Sequence, residues 1–345
     1  MTSPSQPTVR ELAREANVSP ATVSRVLRDS PGVSAPRRAA VLGAIERHGL
    51  TGKPSRRPPV PQHRLVVVRC PYVFNDVFGA LLSAVARSLR EAGKRALLSV
   101  EAGEGREPDI SELLLPDRTE GAILILPPEP VAVIRDLRAS GYPFVVITPR
   151  TPLPSNVAAV SAANMAGARA ATEYLLGLGH ERIAMIGGPS HWIATEGRIA
   201  GYRAGLATYQ KLAPAEYIYD GGEPTVRQGY VAGRTLLALR KPPTAIIAFN
   251  DKMAAGAMRA ATDNGLRVPR DLSIVGFDGL EVSEVVEPRL TTVRQPIDEM
   301  ARLGVELLVR LIEGRDIETL QVVLSNKLVI GGSTGPVPLL ANRQA

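Results

Sequence analysis

The stretch SPATVSRVLR, Ser19 to Arg28, places hydrogen-bond donors at Thr22, Ser24, Arg25 and Arg28. Such groups can bond phosphate oxygens or the edges of bases. An arginine fork can hold guanine O6 and N7 together. Ala21 keeps the same surface slim, as entry into a major groove requires. A helix that only fills a core has no use for this set. The competing reading is a small helical bundle that binds protein, and the local charge favours DNA over it.

The elements that would position these donors are legible around them. Thr8 followed by Glu11 is a capping-box pattern, and Val9, Leu12, Ala13 and Ala16 mark an apolar face at helical spacing. Asn17 tolerates the left-handed backbone of a tight turn. Ser19 caps the next helix, and Pro20 sits in its first turn, where a missing N–H costs nothing. Val23, Val26 and Leu27 form its buried stripe, leaving Ala21, Thr22, Ser24, Arg25 and Arg28 outward. A third helix, from Pro36 to His48, is expected to bury Ala40, Val41, Ala44 and Ile45 and to stop at Gly49. Three short helices with a tight first turn make a helix-turn-helix unit.

Charge supports the same assignment. The chain of 345 residues has a net charge of +7. Residues 1–64 hold 11 basic and 4 acidic side chains, so the whole excess lies there and the remainder balances. A basic head on a neutral body points to a polyanionic partner. One cysteine, Cys70, excludes an internal disulfide and cysteine-based zinc sites. It reads as a packed strand-end residue. His48, His63, His180 and His191 lack metal-ligand spacing, and neither a metal nor a cofactor is called for. No apolar run reaches the length of a membrane span and the start lacks a signal-peptide pattern, so a cytoplasmic protein without membrane contact is expected.

Beyond the head, short apolar runs alternate with amphipathic helical segments. The runs include Leu65 to Val68, Ala96 to Val100, Ala122 to Leu126, Phe144 to Ile147, Ile183 to Ile186, Ala245 to Phe249 and Ile274 to Phe277. Helices such as Phe78 to Ala92 and Met165 to Leu178 lie between them. The alternation implies an α/β body of parallel sheets covered on both faces.

Together these blocks carry a resemblance. TVRELAREANVSPATVSRVL, GYPFVVI, NMAGARAATEYLLGLGHERIAMIGGP, RIAGYRAGL, PPTAIIAFNDKMAAGAMRAATDNGLRVPRDLSIVGFDG and PRLTTVRQPIDEMARLGVELLVRLIEG follow one another as in the LacI/GalR family of transcriptional regulators, which the chain resembles over nearly its whole length. The resemblance implies a small all-α helix-turn-helix domain before a two-lobed body like that of periplasmic binding proteins. Its implied boundaries are 1–50 for the head, 51–64 for a proline-rich basic linker, 65–335 for the effector-binding and dimerisation body, and 336–345 for a tail. The lobes are expected to exchange chain near Ser161, Thr291 and Leu320.

Function follows as an expectation: a homodimeric DNA-binding regulator, read as a repressor, that binds a palindromic operator under control of a sugar-like small molecule. The DNA-contact set is Thr8, Val9, Ser19, Pro20, Ala21, Thr22, Ser24, Arg25, Arg28, Ser34, Arg37, Lys53, Arg56 and Arg57. The resemblance places Arg198, Asn250, Asp278 and Gln295 where sugar-responsive relatives hold ligand hydroxyls, a role suited to amide, carboxylate and guanidinium groups. An interlobe ion pair is the other reading of Arg198 with Asp278.

Departures from the family leave the effector open. Thr148 stands where an aspartate is common, and Pro224 where a stacking aromatic often lies. The first loop brings Arg69, Tyr72 and Asp76. Trp192, the only tryptophan, either supplies the missing stacking face or packs at an interface. An unusual sugar, a sugar acid, a protein partner or no effector at all remain alternatives. An enzyme of the same cleft is a further one. Against it, no glycine-rich phosphate loop, nucleophile elbow or supported pair of catalytic carboxylates is present in the sequence.

In the linker, Pro54, Pro58, Pro59 and Pro61 oppose the hinge helix of the family, so an extended basic segment is expected. The tail has no heptad repeat. If Lys53, Arg56 and Arg57 neutralise phosphates, replacing all three by alanine should flatten the salt dependence of DNA binding. The log–log slope should fall by about 0.9 per lost contact. Binding titrations from low to physiological salt would measure it, and an unchanged slope would remove the linker from the interface.

Overall fold

The computed structural model describes residues 7–27, 33–48, 65–71, 76–100, 110, 119–315 and 317–338, with the backbone alone at Asp76 and Val100. The chain divides into two units, Met1–His63 and Arg64–Ala345.

The first unit holds α1 (Val9–Glu15), α2 (Pro20–Leu27) and α3 (Ala35–Arg47). The capping box forms: the Thr8 side chain accepts from the Glu11 N–H, and the Glu11 carboxylate accepts from the Thr8 N–H at 2.6 Å. Asn17 takes φ 50°, which makes the tight turn between α1 and α2. The Ser19 hydroxyl accepts from the Thr22 N–H at 3.2 Å and so caps α2. Leu12, Ala13, Ala16, Val23, Val26, Val41 and Ala44 form the core. Three residues assigned to buried faces differ: Val9, Leu27 and Ala40 are exposed. Three short helices enclose little volume, so only the innermost position of each turn is covered. Arg47 and His48 both reach Glu15 at 2.7 Å and tie α3 back to α1.

The second unit contains two six-stranded sheets. The first is built from β1 (Leu65–Cys70), β2 (Arg95–Val100), β3 (Thr119–Ile125), β4 (Phe144–Ile147), β5 (Ala159–Ala162) and β11 (Gln321–Leu324), in the order β11-β5-β4-β3-β1-β2, all parallel. Helices α4 (Asp76–Glu91), α5 (Val131–Ala139) and α11 (Ile297–Ile312) belong to this lobe. The second sheet has β6 (Ile183–Ile186), β7 (Ile218–Tyr219), β8 (Ala245–Ala248), β9 (Ser273–Asp278), β10 (Thr291–Arg294) and β12 (Lys327–Val329). Its order is β12-β10-β9-β8-β6-β7, with only β12 antiparallel. Helices α6 (Asn164–Gly177), α7 (Ile193–Thr208), α8 (Val226–Leu237), α9 (Asp251–Asp263) and α10 (Glu281–Val285) complete this lobe. Central strands such as FVVI, IAMI and AIIA are buried on both faces, as parallel sheets demand.

The chain passes between sheets after β5, after β10 and between β11 and β12. The exchanges fall at residue 163, at residues 295–296 and at residues 325–326, a few positions later than Ser161, Thr291 and Leu320. Those three residues lie in or beside the strands themselves, whose apolar ends gave no sign of where pairing stops.

Close helix pairing in the second lobe depends on glycine. A Cβ on Gly201 of α7 would lie 2.1 Å from the Met165 carbonyl oxygen of α6. One on Gly229 of α8 would lie 2.2 Å from the Met253 carbonyl oxygen of α9. Backbone cannot yield as a side-chain tip can. Gly229→Ala should therefore destabilise the protein by about 1–3 kcal/mol, the usual range for overpacking. Urea unfolding would read it, and an unchanged midpoint would show that α8 and α9 part freely.

Candidate functional sites

The head presents a basic concavity of about 680 Å³ lined by Arg10, Arg14, Asn17, Ser19, Pro20, Thr22 and Arg37, among others. Ala21 and Arg25 are exposed on α2, while Thr22 and Ser24 are half-buried. The Thr22 hydroxyl bonds that of Ser19 at 2.9 Å, which fixes its direction. Thr8, Val9, Ser34 and Arg37 are exposed. Arg28, Lys53, Arg56 and Arg57 lie outside the described residues, as does the linker itself. Arg10 and Arg14 were missed as candidates. Their i, i+4 spacing on the polar side of α1 was the available signal.

In the body, strand ends converge on a cleft between the lobes. Its described lining is Val77, Phe78, Leu81, Leu126 and Thr148 from the first lobe, with Trp192, Ala194, Arg198, Pro224, Phe249, Asn250 and Asp278 from the second; Gln295 stands at an exchange. In open α/β sheets ligands sit beyond the carboxyl ends of strands, and these residues lie there. Three non-glycine residues of the lining adopt positive φ: Leu126 at 44°, Thr148 at 56° and Asp278 at 98°. Such conformations concentrate where a fold commits backbone geometry to function.

The centre of the cleft is a buried ion pair. Arg198, in α7, donates from Nη2 to Asp278 Oδ1 at 3.3 Å and from Nε to Asn164 Oδ1 at 2.9 Å. Its Nη1 donates to the Phe249 carbonyl. The guanidinium lies 3.6 Å from the Phe277 ring centroid and 4.3 Å from that of Phe249. Gln295 Nε2 donates to Asp278 Oδ1 at 2.6 Å. The pair exists, but both members belong to the second lobe, so it is not an interlobe bridge. Asn250 caps α9 by accepting from the Met253 N–H at 2.9 Å, which commits part of its amide to structure.

Beneath the cleft lies Asp251, a residue not anticipated from sequence. One carboxylate oxygen accepts from the Gly279 and Leu280 N–H groups at 2.8 and 2.9 Å, and the other from the Thr292 hydroxyl at 2.5 Å. It thereby holds the turn that follows Asp278. Burial and the neighbouring charge of Asp278 push its pKa up to about 7, against the pull of those hydrogen bonds.

Trp192 is buried and lines the cleft, with its ring 6.1 Å from Phe249 in an edge-on arrangement. Its indole N–H donates to His191 at 3.0 Å. Arg150, from the first lobe, places its guanidinium 5.8 Å from the Trp192 ring centroid, and its carbonyl accepts from the Ile193 N–H at 3.0 Å. Arg69 does not line the cleft. It is buried in an ion pair with Glu129, because its strand position turns it inward beside that acid. Tyr72 and the Asp76 side chain lie outside the described residues. No group of metal-ligand type is found among the described residues.

Residues 8–51 match the model of bacterial regulatory proteins of the lacI family, and residues 172–334 match that of the periplasmic binding protein-like domain. The chain is 32% identical to the HTH-type transcriptional regulator MalR of Streptomyces coelicolor, over 95% of this chain and 96% of that protein. The chain belongs to the LacI family of transcriptional regulators. It is also 30% identical to the HTH-type transcriptional repressor CytR of Escherichia coli, over 96% of this chain and 97% of that protein. A transcriptional regulator CelR–cellobiose complex superposes with a TM-score of 0.73 at 30% identity, covering 95% of this chain and 99% of that one. A lac repressor dimer bound to operator and the anti-inducer ONPF superposes with a TM-score of 0.71 at 27% identity, covering 96% of this chain and all of that one. As in this family, the head is a DNA-binding domain and the chain a transcription regulator. No helix among the described residues is long and apolar enough to cross a membrane.

Asp251 supplies a pH prediction. Its folded-state pKa stands above the unfolded value near 4, so the folded protein binds the extra proton between about pH 4 and 7. This carboxyl therefore lowers stability as pH rises through that window. Asp251→Asn, which can still accept from the backbone and donate to Thr292, should remove that component. Unfolding midpoints of both proteins at pH 5 and 8 test it; parallel pH dependence would refute the elevated pKa.

Proposed function

We propose that the chain is a repressor that binds a palindromic operator as a homodimer, and that a small polyhydroxylated molecule held between its lobes alters operator affinity. The observation that carries the effector reading is the Arg198–Asp278–Gln295 cluster at the strand ends facing the cleft. Carboxylate and amide groups in that arrangement exchange bonds with vicinal hydroxyls at little cost. The cellobiose bound by CelR supports a sugar class. The repressor reading draws on CytR and the lac repressor.

The cleft's free volume is about 40 Å³, enough for a few waters and far below the roughly 300–1,000 Å³ of ordinary ligand sites. A sugar must therefore open the lobes about the three exchanges. The same small volume favours a second reading, a regulator controlled by a protein partner. A thermal-shift screen of sugars decides between them, since a ligand of the folded state raises the melting temperature.

Arg25 is the residue proposed to read a base. Arg25→Ala should cost about 1–3 kcal/mol on the cognate site and relax preference at one position in each half-site. Electrophoretic shifts with the chain's own upstream DNA and with random DNA would show it. Equal loss on both would make Arg25 a phosphate contact instead.

A further inference from the structure

We infer that Arg150, Trp192 and Ile193 form a clasp that holds the lobes together over the empty cleft, and that any molecule entering the cleft must release it. The clasp belongs to the resting protein and does not depend on which effector, if any, the cleft takes. Arg150 follows β4 in the first lobe, whereas Trp192 and Ile193 stand at the start of α7 in the second. Two contacts cross between them. The Arg150 carbonyl accepts from the Ile193 N–H at 3.0 Å, and the Arg150 guanidinium lies 5.8 Å from the Trp192 ring centroid. Neither contact falls in the segments where the chain changes lobe, so neither is imposed by chain connection.

The indole is fixed to receive the cation. Its N–H donates to His191 at 3.0 Å, and its ring meets Phe249 edge-on at 6.1 Å. Phe249 in turn lies under the Arg198 guanidinium, 4.3 Å from its centroid. Arg150, Trp192, Phe249 and Arg198 thus form one stack from the first lobe to the centre of the cleft. Only two rings separate the clasp from Arg198. The clasp is also built to yield. Arg150 Nε is buried without a hydrogen-bond partner, and Nη2 reaches the Leu126 carbonyl at only 3.5 Å. An unpaired buried N–H costs energy that opening to water returns. One hydrogen bond and one cation–π contact hold against that cost, so the margin is small. The clasped fraction is closed to ligand, and apparent affinity falls in proportion to the fraction left open.

The test is hydrogen exchange at single amides of the full-length protein without ligand. The Ile193 N–H has its partner in the opposite lobe, whereas the Thr195 and Glu196 N–H groups bond the Trp192 carbonyl within the second. Arg150→Gln removes the cation and keeps the backbone carbonyl. It should speed exchange at Ile193 by roughly 2- to 30-fold, the span of a cation–π contact, and leave Thr195 and Glu196 unchanged. Acrylamide quenching of Trp192, the only tryptophan, should rise with it. Arg150→Lys should restore part of the protection. Trp192→Leu should loosen Ile193 as Arg150→Gln does, and the double variant no further, because the two side chains are ends of one contact. Melting temperatures report whether each variant folds. Exchange at Ile193 as fast as in an unfolded chain, or the same rate before and after Arg150→Gln, would overturn the clasp. So would equal acceleration at all three amides, which marks fraying of α7 and not parting of the lobes.

Discussion

A guanidinium buried as deeply as that of Arg198 requires its charge to be answered on the spot. Removing an ion from water costs several kcal/mol even after relaxation, so each member of such a pair depends on the other and on further hydrogen bonds. Asp278 supplies the opposite charge, the Phe249 carbonyl and Asn164 take two more donors, and two aromatic rings cover the faces. The second-lobe wall of the cleft is organised by this requirement. Asp278 stands at a positive φ, and Asp251 below holds the following turn through the Gly279 and Leu280 N–H groups.

The same network reaches the places where the chain changes lobe. Asn164 opens α6 immediately after the first exchange, and Gln295 lies at the second. The Asn326 amide at the third donates to the Ala163 carbonyl at 3.2 Å. A ligand that draws on Asp278 or Arg198 therefore pulls on groups bonded to the hinge segments, not on an isolated surface. For the effector proposed above, coupling of cleft to lobe angle needs no long pathway: one or two hydrogen bonds separate Arg198 and Asp278 from the exchange segments.

Much of this was legible in the sequence, for physical reasons that differ by region. The head's caps, turn and stripe are local signals, and Thr8, Glu11, Asn17 and Ser19 perform as their types dictate. The central strands, fully buried, announce themselves as short apolar runs. The edge strands QVVL and KLV do not, because their residues are largely half-buried or exposed. Arg198 and Asp278 came from family resemblance; nothing in their neighbours along the chain shows that they meet 80 positions apart. Asp251 stayed hidden because an acid at the start of a helix is ordinarily an exposed dipole partner. Arg69 misled for the converse reason: a charged residue at a strand end suggests a binding loop, and only the fold reveals Glu129 waiting beside it.

Selectivity in such a cleft comes from what the ligand must replace. The donors and acceptors of Arg198, Asn250 and Gln295 are already engaged within the protein. A hydroxyl that substitutes like for like exchanges bonds at nearly constant energy. One that is absent or misplaced leaves a buried polar group unpaired, at about 1–3 kcal/mol each. In the effector reading proposed above, the Arg198–Asp278–Gln295 wall discriminates by this penalty.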